Sequence, residues 1–320
     1  MPAIVDPSFQ TNHVCLHVSD IQKSIKFYTE YFGLSLLAQE SVPQLKKQIY
    51  LLGYNSPSNA NYGKHWADRS GVLELCVDQT LPKDYKFANG NSPEAQGFGH
   101  ICVAVDNLET ACEQLEKNGV AFKKRPSEGR QKDIAFALDP DNYWIELIEH
   151  QIGKKDGVSN KSNWVLNHGM YRIRDPKVSL KFYKEVLGMK LYSTREFPEA
   201  KFTLYFLGYE HDDQYVENQE KPRPQAERES IIELTHNWGT ESDSSFKGYH
   251  TNTTEPFGYG HTGIKTKDVA KLAKELENDV EWVFKLGEIS DKLAFFKDPD
   301  GYLLEILQND SFLKDQGNKL

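Results

Sequence analysis

Residues 13–18 alternate between apolar and polar side chains, with Val14, Leu16 and Val18 on one face, and this period of two predicts a half-buried strand. The period then lengthens. From about Asp20, the residues Ile21, Ile25, Tyr28 and Phe32 fall on one helical stripe, and Gly33 supplies a stop. The same change of period occurs three more times. Strand 100–105 carries Ile101, Val103 and Val105 on one face, and a helix follows near Asn107 with Leu108, Ala111, Cys112 and Leu115 inward and Gly119 at its end. Asp175-Pro176 offers a cap and a first-turn proline for a third helix that Gly188 closes. Asp268 caps a fourth, with Val269, Leu272, Ala273 and Leu276 as its stripe.

These recurrences are an internal repeat. His13-Val14-Cys15-Leu16-His17-Val18 returns as His168-Gly169-Met170-Tyr171-Arg172-Ile173, 155 positions later, and Lys26-Phe27-Tyr28 returns as Lys181-Phe182-Tyr183 at the same offset. Gly97-Phe98-Gly99-His100 matches Gly258-Tyr259-Gly260-His261, and Asp139-Pro140-Asp141-Asn142-Tyr143 matches Asp298-Pro299-Asp300-Gly301-Tyr302. The offset drifts only slightly, so loops differ in length while the framework repeats. The expectation is an α+β chain of four βαβββ modules, at 11–80, 96–150, 165–237 and 257–308. They form two tandem domains, 11–150 and 164–308, joined by a linker at 151–163. The polar stretches 55–70 and 210–230 read as long surface loops.

Composition narrows the possibilities. A chain of 320 residues with 38% hydrophobic and 12% aromatic side chains can bury the cores of two domains. A net charge of −9 excludes general affinity for nucleic acid or anionic membranes. The N-terminal residues have neither the basic nor the apolar region of a secretory signal, and no apolar run reaches a membrane span, so a cytoplasmic protein is expected. The four cysteines all lie in the first copy without CxxC spacing and read as reduced packing residues.

The candidate chemistry sits at repeat-equivalent positions. His13, His100, His168 and His261 lie on predicted strands, and each is followed by a glutamate on a later strand: Glu74, Glu146, Glu233 and Glu305. Glu74 lies between Leu73 and Leu75, Glu146 between Ile145 and Leu147, and Glu233 between Ile232 and Leu234, so strand alternation turns each carboxylate away from the core face. A carboxylate there needs solvent, a partner or a cation. Two imidazoles and two carboxylates leave two positions of an octahedral divalent ion open and suit Zn2+ or Ni2+.

The motifs ELTHNWGTE at 233–241, GFGH at 97–100, EGRQKDIAFALDPDNYWIEL at 128–147 and FYKEVLGMKL at 182–191 closely resemble the glyoxalase I (lactoylglutathione lyase) family. The two-copy layout is similar to that family's long, monomeric fungal form. The resemblance implies a vicinal-oxygen-chelate fold. It also implies isomerisation of the glutathione–methylglyoxal hemithioacetal to S-D-lactoylglutathione, with a metal stabilising an enediolate and a glutamate moving the proton. By resemblance the shuttle is Glu146, with Glu305 as its counterpart.

It further implies that each site takes the first module of one copy and the second of the other. A central site would join His168 and Glu233 to His100 and Glu146, and a terminal site His13 and Glu74 to His261 and Glu305. Glutathione carries two carboxylates, so its site needs fixed cations and amides. Arg172, Thr235, Asn237, Lys124 and Arg130, beside Arg125, supply these centrally, with Gln96 where the family often has arginine. At the terminal site His17, Cys76, Asp78, Val283, Ile289 and Phe257 stand at the positions of Arg172, Thr235, Asn237, Lys124, Arg130 and Gln96. The expectation is two metal ions per chain, zinc before nickel, one working glutathione site, and a monomer, because one chain supplies both halves of each site. A ring-cleaving dioxygenase of this fold would use three protein ligands rather than four, and a binding protein would need neither the ligands nor the basic residues.

Overall fold

A computed structural model describes residues 7–129, 131–212, 215–218 and 224–309. The first module runs β1 (Gln10–His17), α1 (Ile21–Lys26), β2 (Ser35–Val42), β3 (Lys47–Gly53) and β4 (Val72–Asp78). The second runs β5 (Phe98–Val105), α2 (Leu108–Lys117), β6 (Phe122–Lys124), β7 (Ile134–Leu138) and β8 (Trp144–Glu149). The third runs β9 (Val165–Ile173), α3 (Pro176–Lys181), β10 (Lys190–Phe197), β11 (Phe202–Gly208) and β12 (Ile231–Asn237). The fourth runs β13 (Tyr259–Thr266), α4 (Val269–Glu275), β14 (Glu281–Phe284), β15 (Leu293–Lys297) and β16 (Leu303–Gln308). Each helix begins where the sequence puts a cap: the side chains of Asp20, Asn107, Asp175 and Asp268 accept from backbone N–H groups of the first turn.

Two of the predicted helices widen after two turns. α1 passes into a π-type turn over Phe27–Tyr31 and α3 into one over Phe182–Val186, and Gly33 and Gly188 close them at positive φ. The apolar stripe Tyr28/Phe32 survives the change, because both side chains still reach the core.

Strands do not stay within a copy. One sheet has the order β14-β15-β16-β13-β1-β4-β3-β2 and the other β10-β11-β12-β9-β5-β8-β7-β6. Within each module the first and last strands pair in parallel, as βαβ crossovers require, while the seams β1–β13 and β5–β9 are antiparallel and join different copies. Close approach at the β1–β13 seam explains Gly260: a Cβ there would lie 2.6 Å from the Cys15 Sγ and 3.1 Å from its Cβ.

The sheets share one core, which α1–α4 help to fill. Repeat-related hydrogen bonds tie the two modules of each copy across it. The Tyr28 hydroxyl donates to Asp139 at 2.9 Å and the Tyr183 hydroxyl to Asp298 at 2.8 Å. In the same way Tyr143 donates to the His17 carbonyl and Tyr302 to the Arg172 carbonyl, each at 3.0 Å.

The stretch 55–70 is not merely surface. Asn61, Arg69 and Ser70 are buried, and Asn61 and Ser70 donate to Glu229 from the stretch before β12, at 2.6 and 2.8 Å. A loop this polar goes inside because its amides and carbonyls find partners there. The stretch 210–230 lies partly outside the described residues; Pro224–Glu227 forms a 3-10 turn. The stretch 151–163 packs against the second module through Asp106, which accepts from Ser159, Asn160, Asn163 and Trp164. No helix among the described residues is long and apolar enough to cross a membrane.

Candidate metal centres

The four inner strands of each sheet carry one ligand candidate apiece. β12, β9, β5 and β8 bring Glu233, His168, His100 and Glu146 together, and β16, β13, β1 and β4 bring Glu305, His261, His13 and Glu74 together. All eight residues lie on these strands; the central four converge, as do His13, His261 and Glu305, with Glu74 to one side. In the central cage the His168 Nε2 lies 3.2 Å from Glu146 Oε2 and 3.1 Å from Glu233 Oε2, and the two histidine Nε2 atoms are 3.3 Å apart. The His100 Nε2 lies 3.4 Å from Glu146 and 3.9 Å from Glu233. In the terminal cage His13 and His261 are 3.0 Å apart and lie 3.1 and 3.0 Å from Glu305, while Glu74 stands 3.7 and 4.0 Å away, beside Cys15. Donors about 2.1 Å from one divalent ion are roughly 3.0–3.4 Å apart at octahedral to tetrahedral angles. The central four fit such an ion; in the terminal cage His13, His261 and Glu305 fit it, while Glu74 is grouped with Cys15 and His261 instead.

Electrostatics support ligation. Burial opposes ionisation of Glu146, but His100 and His168 outweigh it and hold its carboxyl well below the usual range. Burial likewise opposes Glu305, and hydrogen bonds from His13 and His261 bring it down to about 2. Both proton-shuttle candidates are thus carboxylates at neutral pH.

Two fully buried asparagines, which sequence reasoning missed, set the histidine tautomers. The Asn167 Nδ2 donates to the carbonyls of Gln225 and Arg228 at 2.5 and 2.6 Å, and its Oδ1 faces the His168 Nδ1 at 2.6 Å. Since the amide group is spent on two acceptors, Oδ1 accepts, Nδ1 carries the proton, and Nε2 presents its lone pair to the cage. Asn12 repeats this with Trp66 and Arg69, at 2.9 and 2.7 Å, and with the His13 Nδ1 at 2.7 Å. The signal available was the Asn-His pair at 12–13 and 167–168.

The glutathione candidates are arranged unevenly. Arg172 is pinned by the loop before β5: Nη1 donates to Gly90 and Gly97 carbonyls at 3.1 and 3.2 Å, and Nη2 to Asn91 Oδ1 at 2.9 Å. It thus joins module three to module two beside the cage. The Thr235 hydroxyl donates to Glu233 at 3.1 Å. Asn237 donates to the Tyr249 hydroxyl at 2.9 Å, and Tyr249 is a second residue that sequence reasoning missed, because it sits in a loop without periodic signal. The Lys124 ammonium donates to the carbonyls of Arg125, Gln131 and Ile134, so it also closes its own loop. Arg125 points to Glu116, and Arg130 lies outside the described residues.

Residues 10–147 and 165–306 both match the Glyoxalase/Bleomycin resistance protein/Dioxygenase superfamily. Glyoxalase I of Saccharomyces cerevisiae is 46% identical over 316 residues, covering 94% of this chain and 93% of that protein. The chain belongs to the glyoxalase family. A lactoylglutathione lyase of Schizosaccharomyces pombe is 40% identical over 306 residues, with 94% of this chain and 97% of that one covered. The crystal structure of glyoxalase I from Zea mays superposes with a TM-score of 0.69 at 29% identity, covering 96% of this chain and 95% of that one. The glyoxalase fold that the family resemblance implies is the one observed, as two tandem glyoxalase domains.

Proposed function

We propose that the chain is a lactoylglutathione lyase that isomerises the hemithioacetal of glutathione and methylglyoxal at the central site, detoxifying methylglyoxal. The observation that carries this reading is the convergence of His100, Glu146, His168 and Glu233 beside Arg172, Thr235 and Asn237. A divalent ion held by the four ligands, zinc before nickel, would act as a Lewis acid on two adjacent substrate oxygens. Glu146 removes the C1 proton and returns it to C2, while the hydroxyl proton passes from the C1 oxygen to the C2 oxygen, so atoms and charge balance without another reactant. Arg172, whose position is fixed by backbone carbonyls, meets a glutathione carboxylate, and Thr235 and Asn237 supply the neutral donors. Lys124 and Arg130 are proposed for the second carboxylate.

At the terminal site the proposed metal ligands are His13, Glu74, His261 and Glu305, with Glu305 as the corresponding base. Its glutathione contacts are replaced, so turnover resides centrally. We further propose two metal ions per chain, a monomer, and a cytoplasmic location. A dioxygenase reading is disfavoured by the fourth protein ligand in the central set.

The test is turnover by Glu146→Gln and Glu305→Gln chains, beside metal content and the dependence on glutathione. Glu146→Gln is expected to abolish turnover and Glu305→Gln to leave most of it. The opposite result overturns the assignment of sites, and turnover without glutathione overturns the activity.

A further inference from the structure

The six residues that replace the central glutathione contacts come from two modules far apart in sequence. His17, Cys76, Asp78, Phe257, Val283 and Ile289 nevertheless all line one cavity of about 620 Å³, whose floor includes Glu74, His261 and Glu305 of the terminal cage. That volume is in the range of small-molecule sites, roughly 300–1,000 Å³.

Its chemistry differs from a glutathione pocket. Phe257, Trp282, Val283, Ile289, Leu293 and Phe295 make an apolar wall. The wall continues to the metal cage, because Phe295 packs its ring against His261 with centroids 5.1 Å apart. Val283 is 37% exposed, an apolar residue at an accessible edge. The cationic side chains are already committed. The His17 Nδ1 donates to the Gly258 carbonyl at 3.0 Å, and its Nε2 faces the Lys47 ammonium at 3.3 Å. Lys297 is paired with Glu281 at 2.6 Å. Asp78 adds a carboxylate where the central site has the Asn237 amide. A dianionic peptide would therefore meet paired cations and extra negative charge, whereas an apolar group would meet a matching wall.

We propose that the terminal site binds a thiol-free ligand with two adjacent oxygens, of the α-hydroxy carbonyl or hydroxamate class, carrying an apolar tail the size of an aromatic ring. His13, His261 and Glu305, with Glu74 beside them, would hold the ion that takes the oxygen pair, and the tail lies along Phe257, Val283 and Ile289. This inference rests on the reading that glutathione engages the central site alone.

Two hydroxamates with the same chelating head, acetohydroxamate and benzohydroxamate, separate the wall from the ion. Calorimetry on the zinc-loaded full chain, with S-methylglutathione saturating the central site and zinc content followed throughout, is expected to show benzohydroxamate binding once per chain at least tenfold more tightly than acetohydroxamate. A Val283→Lys/Ile289→Arg chain is expected to lose that preference while keeping two zinc ions and one S-methylglutathione. Equal affinity of the two probes, or a ring preference that survives the double substitution, overturns the inference alone. Two equivalents of S-methylglutathione per chain overturn the reading beneath it as well.

Discussion

Replacing Asn167 by alanine tests how the central cage is held. The side chain is fully buried and makes three hydrogen bonds: to the carbonyls of Gln225 and Arg228 and from the His168 Nδ1. At about 1 kcal/mol net for each, with two carbonyls and an imidazole N–H left unpaired, the expected loss of stability is about 3 kcal/mol. His168 also loses the group that selects its tautomer, which typically weakens metal binding by about 10- to 100-fold. Asn167→Asp separates the two effects. A carboxylate still accepts from Nδ1, yet it faces two carbonyl oxygens that it cannot satisfy. It should keep more of the zinc affinity while losing at least as much stability. Asn12→Ala is the internal control, expected to lose similar stability and terminal zinc but little turnover. The assays are urea unfolding and zinc competition with a chromophoric chelator, followed by turnover in excess zinc. Wild-type zinc affinity in the Asn167→Ala chain would refute the tautomer argument.

Tyr28→Phe and Tyr183→Phe each delete one buried hydroxyl–carboxylate bond, so the two should destabilise alike, by about 1.5–3 kcal/mol in denaturant unfolding. Tyr249→Phe removes the acceptor of the Asn237 amide and should weaken S-methylglutathione binding several-fold, read by calorimetry, with zinc content unchanged. Burial, then the charge of Asp141, pushes Asp139 up to about 7 against its hydrogen bonds from Tyr143, Tyr28 and Asp141. The folded chain thus holds that proton more tightly than the unfolded one, so this contribution to stability is full below about pH 4 and is lost as pH rises through about 7. In chelator-treated protein the unfolding midpoint should decline as pH rises from about 4 to about 7, and Asp139→Asn should flatten that slope.

The framework was legible in the sequence because it is periodic. Ile101, Val103 and Val105, or Leu73 and Leu75 around Glu74, declare which way a strand faces, and a carboxylate between two core residues must face away. Cross-pairing was legible for another reason: His17, Phe257 and Val283 depart together from their central counterparts although no short stretch contains them. Side chains that serve the site through backbone carbonyls were not legible. Asn12 and Asn167 carry no periodic signal, and 55–70 reads as a surface loop, because nothing local shows that the Trp66 and Arg69 carbonyls turn inward. At Lys124 the positive charge was legible but its loop contacts were not. Its loop looks like a cationic patch, yet three carbonyls of that loop take its ammonium.

The duplication separates what must stay alike from what is free to differ. Both sheets face one core, so the strand pairings and the Tyr–Asp bonds recur in both copies. At residues 17 and 172 the two demands meet on one residue. Tyr143 holds the His17 carbonyl and Tyr302 the Arg172 carbonyl, each at 3.0 Å, while the backbone N–H groups of His17 and Arg172 donate to Gly258 and Gly97. The backbone there is fixed without the side chain. The His17 ring satisfies the Gly258 carbonyl much as the Arg172 guanidinium satisfies Gly97, but an imidazole with both nitrogens engaged has no donor left for a carboxylate. Guanidinium can therefore give way to imidazole with the fold intact and a carboxylate donor lost. Because each site takes one module from each copy, that change alters the terminal pocket and leaves the central one as it was.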